Sequence, residues 1–365
     1  LAINTSTGQL YYGTSASGSM DASVSSSFTF ASVSASGKII THQITASGTI
    51  TSAGLIATKA TDGGDTIIQV INSNTDGGVD KGAGIEFLHG RKVLIFGIGV
   101  SGLATIYKLK KYVKNLSIWD DNSSLRKTAK TEIALKFNPK FYEVNYDFIV
   151  MSPGIDIYNH AHSSYFVKNF SKIITDIDIF VNSIDLKKNK IIAITGTNGK
   201  STFCKLLQHV IKEKKKNTFL LGNYGKPALS QNYKSINNIY ILELSSYQIE
   251  YSQFLKLHAC AVLNITPDHL QRHKTFRNYV NIKLKIFNSL LKNGIGFVEE
   301  NFPYTGDINT KNNVKKIVNL KNLDIKNKFL LKKSFLPSLS IIFKILKFLN
   351  ISNKIIIKKF NSFKS

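Results

Sequence analysis

Apolar residues fall along this chain in two different rhythms. Up to about residue 89 they are mostly small and scattered among Ser, Thr, Gly and Ala, with brief alternations such as Ile39-Ile40-Thr41-His42-Gln43-Ile44-Thr45 and Thr49-Ile50-Thr51. Alternation of period two predicts short β-strands, and Ser-Gly pairs at Ser17-Gly18, Ser36-Gly37 and Ser47-Gly48 predict polar turns between them. Large side chains are too few there for a compact core, so residues 1–89 read as a β-rich, fibre-like or flexible extension. From Arg91 the pattern becomes continuous apolar runs separated by stretches of helical period. Val93 to Phe96, Leu116 to Trp119, Asp147 to Met151, Ile239 to Leu244 and Cys260 to Ile265 predict buried strands. Phe203, Leu206, Leu207, Val210 and Ile211, at i, i+3, i+4, i+7 and i+8, predict a helix with one buried face. Strand and helix in alternation give an α/β fold. We divide it into a Rossmann-like domain at 90–183 and a phosphate-loop α/β domain at 184–365.

Two glycine-rich turns follow strands. Gly97-Ile98-Gly99-Val100-Ser101-Gly102 is a complete G-x-G-x-x-G, and the acidic pair Asp120 and Asp121 closes the next strand at the spacing expected for a ribose or sugar hydroxyl. Alone, this motif predicts an NAD-binding domain. The second turn ends the apolar run that starts at Lys190 and reads Gly196-Thr197-Asn198-Gly199-Lys200-Ser201-Thr202. Its glycines let backbone N–H groups curl around an anion, Lys200 adds a positive charge, Ser201 offers a hydroxyl to Mg²⁺, and the helix that follows points its positive end at the same place. The glycine spacing is tighter than in G-x-x-x-x-G-K-[ST], with only Thr197 and Asn198 between Gly196 and Gly199. Glu243 and Asp268-His269 stand at the ends of later strands, where open α/β sheets gather ligand groups. Ser201, Glu243 and His269 are therefore expected around one nucleotide-bound Mg²⁺; the plain alternatives are a surface charge for Glu243 and a capping or packed role for His269.

Charge sharpens the division. Residues 1–90 hold three lysines against six carboxylates, a balance of −3, so the formal net charge of +25 leaves +28 for the remainder. The lysines are interleaved with Ile, Leu, Asn and Phe and no aromatic-and-basic recognition motif accompanies them, which favours solvated faces over nucleic-acid binding. Two cysteines, Cys204 and Cys260, are too few for a disulfide framework and fit a core position in a cytoplasmic protein. No apolar run approaches the about 18 residues of a membrane span, and Phe335 to Ile351, interrupted by Lys344 and Lys347, reads as an amphipathic helix.

Five segments in order give this chain a resemblance to the Mur ligases of peptidoglycan synthesis, closest to the member that adds D-glutamate. They are Gly97 to Gly102, Ser152 to Gly154, Thr195 to Thr202, Leu242-Glu243-Leu244-Ser245-Ser246-Tyr247-Gln248, and Leu263-Asn264-Ile265-Thr266-Pro267-Asp268-His269. Gly222 to Gly225 and Tyr279 to Lys283 match further family segments. The resemblance implies a monomeric ATP-dependent amide ligase that joins D-glutamate to UDP-N-acetylmuramoyl-L-alanine through an acyl phosphate. It implies two Mg²⁺ ions, one on Ser201 and Glu243 and one on His269 and a carbamylated Lys283, with Lys200, Lys283 and His269 as catalytic residues. Asn223 and Ser245 are implied to line the muramoyl group, and Val100, Ser101, Asp121 and Asn122 the uridine diphosphate. Gln271 stands where the family has Asp, and the family's Gly-x-His-Asn element appears only as Lys332-Lys333-Ser334-Phe335. The family's amino-acid-binding domain is not found before Ser365, from which a truncated and inactive ligase is expected. Residues 1–89 have no counterpart in the family and resemble, in composition, low-complexity parts of phage tail fibres. Two other readings stand beside this one: an NAD-dependent oxidoreductase, and a structural, fibre-like fusion protein with an inert ligase portion.

Overall fold

The computed structural model describes residues 88–365 except 133–136, 216, 231–236, 310–312, 321–323 and 365, together with short strands between residues 2 and 69. The chain forms two compact units, Leu1–Gly78 and Val79–Ser365. In the first, Ala57–Ala60 pairs antiparallel with Thr66–Gln69, and Ala22–Val24 pairs parallel with Ile39–Thr41. The further expectation of a fibre-like or flexible extension lies outside the described residues.

The second unit contains two parallel sheets. The first has the order β2-β1-β3-β4, formed by β1 (Lys92–Phe96), β2 (Asn115–Trp119), β3 (Phe148–Met151) and β4 (Ile173–Ile174). Val93 lies opposite both Leu116 and Phe148, which sets the register on each side of β1. The second has the order β6-β7-β5-β8-β9-β10, from β5 (Lys190–Thr195), β6 (Thr218–Gly222), β7 (Ile239–Glu243), β8 (Leu257–Val262), β9 (Leu290–Glu299) and β10 (Val314–Ile317). Strands buried on both faces are continuous apolar runs, as Ile191, Ile192, Ala193 and Ile194 are in β5.

Helices α1 (Val100–Leu109) and α2 (Ser123–Glu132) belong to the first sheet, followed by α3 (Ser163–Lys168) and α4 (Asp176–Asn182). The second carries α5 (Lys200–Lys214), α6 (Ser246–Tyr251), α7 (Leu270–His273), α8 (Phe276–Leu284), α9 (Leu336–Phe348) and α10 (Asn353–Ser362). The expected face of α5 is the buried one: Phe203, Leu206, Leu207, Val210 and Ile211 pack with Leu339, Ile342 and Leu346 of α9 and Phe360 of α10. Cys204 and Cys260 are both buried and free. Lys344 and Lys347 lie on the exposed side of α9, and among the described residues no helix is long and apolar enough to cross a membrane.

Polar side chains fasten the two sheets to each other. Asp178 of α4 accepts the backbone N–H groups of Gln253 and Phe254 at 3.1 and 2.7 Å, and the Tyr251 hydroxyl donates to the Ile155 carbonyl at 2.8 Å. Buried Arg272 contacts Glu250 at 3.4 Å and Asp156 at 3.8 Å, and donates to the Tyr251 hydroxyl. Four of the expected strands shift by one residue at one end, and β8 departs further, beginning at Leu257 and stopping at Val262 rather than Ile265. The residues beyond it leave the ladder because their hydrogen bonds go to the phosphate loop.

Candidate functional site

The turn after β5 is shaped by two glycines with positive φ. Gly196 has φ +156°, and a Cβ there would lie 3.1 Å from the Leu263 Cβ and 3.3 Å from the Asn264 nitrogen. Gly199 has φ +80° and delivers the chain into α5 with open space beside it. Between them the loop is clamped to the segment leaving β8. The N–H groups of Thr197 and Asn198 donate to the Asn264 backbone carbonyl and Oδ1, both at 2.9 Å, and the Asn264 amide donates back to the Asn198 carbonyl at 3.1 Å. The Thr197 hydroxyl donates to the Thr266 carbonyl at 3.2 Å and accepts the Thr266 N–H at 3.1 Å. Asn264 and Thr266 are thus structural partners of the loop, a role that its own residues do not signal.

Two lysines converge on this turn. Lys200 donates to the carbonyls of Gly196 and Thr197, each at 2.8 Å. Lys283, on α8 and only 2% exposed, donates to the same Gly196 carbonyl at 3.0 Å and lies 4.7 Å from the centre of the Tyr279 ring. Burial first, and the Lys200 charge second, bring the Lys283 pKa down to about 7. Lys200 is also lowered by burial, against the pull of Glu243 and Asp268.

Glu243 closes β7, the neighbour of β5, and is 2% exposed. Its Oε1 accepts the Asn223 amide at 3.1 Å, while Oε2 has no hydrogen-bond partner. A buried carboxylate oxygen left unpaired beside a hydroxyl-bearing, glycine-rich turn suits a hard cation with oxygen ligands. Glu243 and Ser201 therefore fit one Mg²⁺. The second set fits less well as it stands: His269 has left-handed backbone, φ 52°, is roughly half-exposed, and faces its neighbour Asp268 at 3.4 Å. Among the described residues no three His, Cys, Asp or Glu side chains form a metal-binding group, and the Lys283 amine is not a ligand for Mg²⁺ unless it is converted to an anion. Ser245 caps α6 by accepting the Gln248 N–H at 3.2 Å, so its hydroxyl has a structural task.

The turn after β1 is equally specific. A Cβ on Gly102 would lie 1.9 Å from the Gly97 carbonyl oxygen, and the Ser152 hydroxyl donates to that same oxygen at 3.0 Å. Val100 at the tip is 76% exposed, while Ser101 is half-buried and the buried side of α1 is formed by Gly102, Thr105, Ile106 and Leu109. The acidic pair after β2 departs from expectation. Asp120 is buried and accepts the N–H groups of Ile98 and Asn122 at 2.6 and 2.7 Å, so it fixes the glycine turn and is not free for a sugar hydroxyl. Asp121 is the exposed member and pairs with His160 at 2.6 Å, a partner the spacing did not suggest. The Asn122 carbonyl oxygen of the side chain accepts from Ser124 and Leu125 at the start of α2.

Residues 194–347 match the family described as the Mur ligase middle domain. The UDP-N-acetylmuramoylalanine–D-glutamate ligase of Wolbachia pipientis wMel is 36% identical over 202 residues, covering 54% of this chain and 39% of that protein. That of Rhizobium meliloti (strain 1021) is 37% identical over 205 residues, covering 54% of this chain and 44% of that protein. The chain thus spans less than half the length of these two relatives. A solved structure of a UDP-N-acetylmuramate:L-alanyl-γ-D-glutamyl-meso-diaminopimelate ligase, from Neisseria meningitides, aligns over 75% of this chain and 98% of that one at 12% identity, with a TM-score of 0.49. The likeness to Mur ligases expected from the motifs is borne out over about half of the chain; a likeness to tail fibres finds no such support.

Proposed function

From a chain that carries the Mur ligase middle domain, we infer an ATP-dependent amide ligase that adds D-glutamate to UDP-N-acetylmuramoyl-L-alanine in the cytoplasm, as a monomer. The observation that carries this reading is the meeting of Lys200 and Lys283 on the Gly196 carbonyl, next to a buried Glu243 with one unpaired oxygen. Phosphoryl transfer asks chiefly for positioning and charge neutralisation, and this cluster offers both.

In this reading residues 196–202 wrap the ATP phosphates and Lys200 leaves its two carbonyls to meet the β- and γ-oxygens. Ser201 and Glu243 hold one Mg²⁺, with Asn223 orienting the Glu243 carboxylate through its 3.1 Å hydrogen bond. Bound Mg²⁺ supplies charge neutralisation at the transferred phosphoryl group. The Lys283 amine, once carbamylated, serves with His269 for a second ion. The substrate carboxylate takes the γ-phosphoryl group as ADP leaves, and the amine of D-glutamate then displaces phosphate to form the amide. Val100, Ser101, Asp121 and Asn122 receive the uridine diphosphate end, and Asn223 and Ser245 border the muramoyl group.

A nicotinamide dinucleotide at the first glycine turn is the competing reading, and the second nucleotide motif on β5 speaks against it. Titration calorimetry with UDP-N-acetylmuramoyl-L-alanine and with NAD separates them. Saturable binding of the UDP-sugar with no response to NAD supports the ligase; the opposite order overturns it.

A further inference from the structure

Asp176 is the first residue of α4 and is 3% exposed, with no hydrogen-bond partner for either carboxylate oxygen. It closes a small pocket directly behind the first glycine turn, together with Ser101, Thr105 and Ser152 and the apolar Ile95 and Val150. The hydroxyls around it are committed or shared: Thr105 donates to the Ser101 carbonyl at 2.8 Å and Ser152 donates to the Gly97 carbonyl at 3.0 Å. The backbone N–H groups of Ile177 and of Asp176 itself and the Ser101 hydroxyl are turned toward the carboxylate, none of them with the geometry of a hydrogen bond, and Ser101 is the side chain among them. A buried, unpaired carboxylate is costly, and this one stands behind the turn that opens α1, whose free N–H groups favour an anion on the other side.

We propose that Asp176 is a positioning residue whose charge sets how tightly the Gly97–Gly102 turn holds a nucleoside diphosphate, and that it takes up a proton as the anion arrives. This rests on the reading of the first sheet as a diphosphate site. Two negative groups on opposite sides of one turn repel, so the bound state favours the neutral acid. The neutral acid can donate to the Ser101 hydroxyl, leaving that hydroxyl free to donate toward the ligand.

The pKa of Asp176 is already pushed up to about 6, by burial first and by the charge of Asp178 second. Among the described residues Asp178 is the charged side chain that acts on it; β1, β3 and α1 present hydroxyls and apolar groups to the pocket. Asp178 itself is held by the N–H groups of Thr175, Gln253 and Phe254. An anion at the turn raises the Asp176 pKa further. Affinity for the diphosphate is then highest below about pH 6 and falls as pH rises from there to the pKa of the bound state.

The test is titration calorimetry of the full chain with UDP-N-acetylglucosamine, whose doubly esterified diphosphate does not titrate in this range, in two buffers of different ionisation enthalpy. The wild type is expected to take up protons on binding and to lose up to about tenfold in affinity per pH unit within the window, the limit for one proton. Asp176→Asn, a neutral isostere, should bind with no uptake and no pH slope, and at least as tightly as the wild type at pH 8. His160→Gln, which removes the imidazole beside Asp121, should leave the uptake in place. Wild-type binding without proton uptake overturns the inference alone, as does uptake that persists in Asp176→Asn or vanishes in His160→Gln. A wild type that binds no UDP-sugar at any pH overturns the diphosphate reading and the inference with it. If Asp176→Asn does not fold, the wild type and His160→Gln decide.

Discussion

Lys200 and Lys283 place their ammonium groups on one acceptor, the Gly196 carbonyl, at 2.8 and 3.0 Å. Two cations so close, one of them 2% exposed, repel each other and together suit an anion. Either phosphate oxygens arrive, or one lysine gives up its charge. The low pKa of Lys283, about 7, marks it as the one that yields.

A neutral Lys283 amine can attack the carbon of CO₂, forming an N–C bond and releasing a proton. We expect a carbamate signal in ¹³C NMR of the protein equilibrated with labelled bicarbonate, growing as pH rises through about 7 and missing from Lys283→Ala. A signal in the alanine variant, or none in the wild type at pH 8, would rule out this modification.

Lys283 also costs stability while it is charged. Its folded pKa lies below the unfolded value, so the unfolded state binds more protons between about 7 and 10.4, and stability rises with pH across that window. Lys283→Met should stabilise the fold by about 1–3 kcal/mol at pH 6 and by less at pH 9. Urea unfolding at the two pH values checks this, and an equal gain at both contradicts it.

Gly102 has no room for a side chain, because a Cβ would meet the Gly97 carbonyl at 1.9 Å, whereas Gly99 has nothing within 4 Å. Gly102→Ala should cost about 3 kcal/mol or more, and Gly99→Ala less than about 1 kcal/mol. Equal melting shifts for the two would mean that the turn is not packed as described.

Arg272 and Glu250 are each 6% exposed and join α7 to α6 beside the first sheet. Arg272→Met takes the guanidinium from buried Glu250 and leaves it the Tyr158 hydroxyl but no counter-charge in direct contact, which should destabilise by about 3–5 kcal/mol. Adding Glu250→Leu should recover most of that loss in a double-mutant cycle. No recovery would show that the guanidinium acts mainly through Tyr251 and Asp156.

The phosphate loop was legible because periodicity and glycine placement are local: β5, the turn and the buried face of α5 all follow from neighbouring residues. What clamps the loop was not. Asn264 and Thr266 reach it only because β8 lies beside β5 in the sheet order, and Lys283 reaches Gly196 only through the placement of α8. Asp120 was misread for a related reason. Spacing places an acidic residue at the strand end but cannot distinguish one that accepts the Ile98 N–H from one that faces a ligand. Asp176 carried no motif at all, since burial without a partner is visible only in three dimensions.

The most direct test of the central claim is a titration of Mg²⁺–ATP into the wild-type chain and into Lys200→Ala. The account predicts saturable, Mg²⁺-dependent binding by the wild type and a loss of at least about tenfold in the variant, the equivalent of one charge-assisted contact to phosphate. Equal affinity in the two, or binding indifferent to Mg²⁺, would contradict the assignment of residues 196–202 as a nucleotide phosphate cradle.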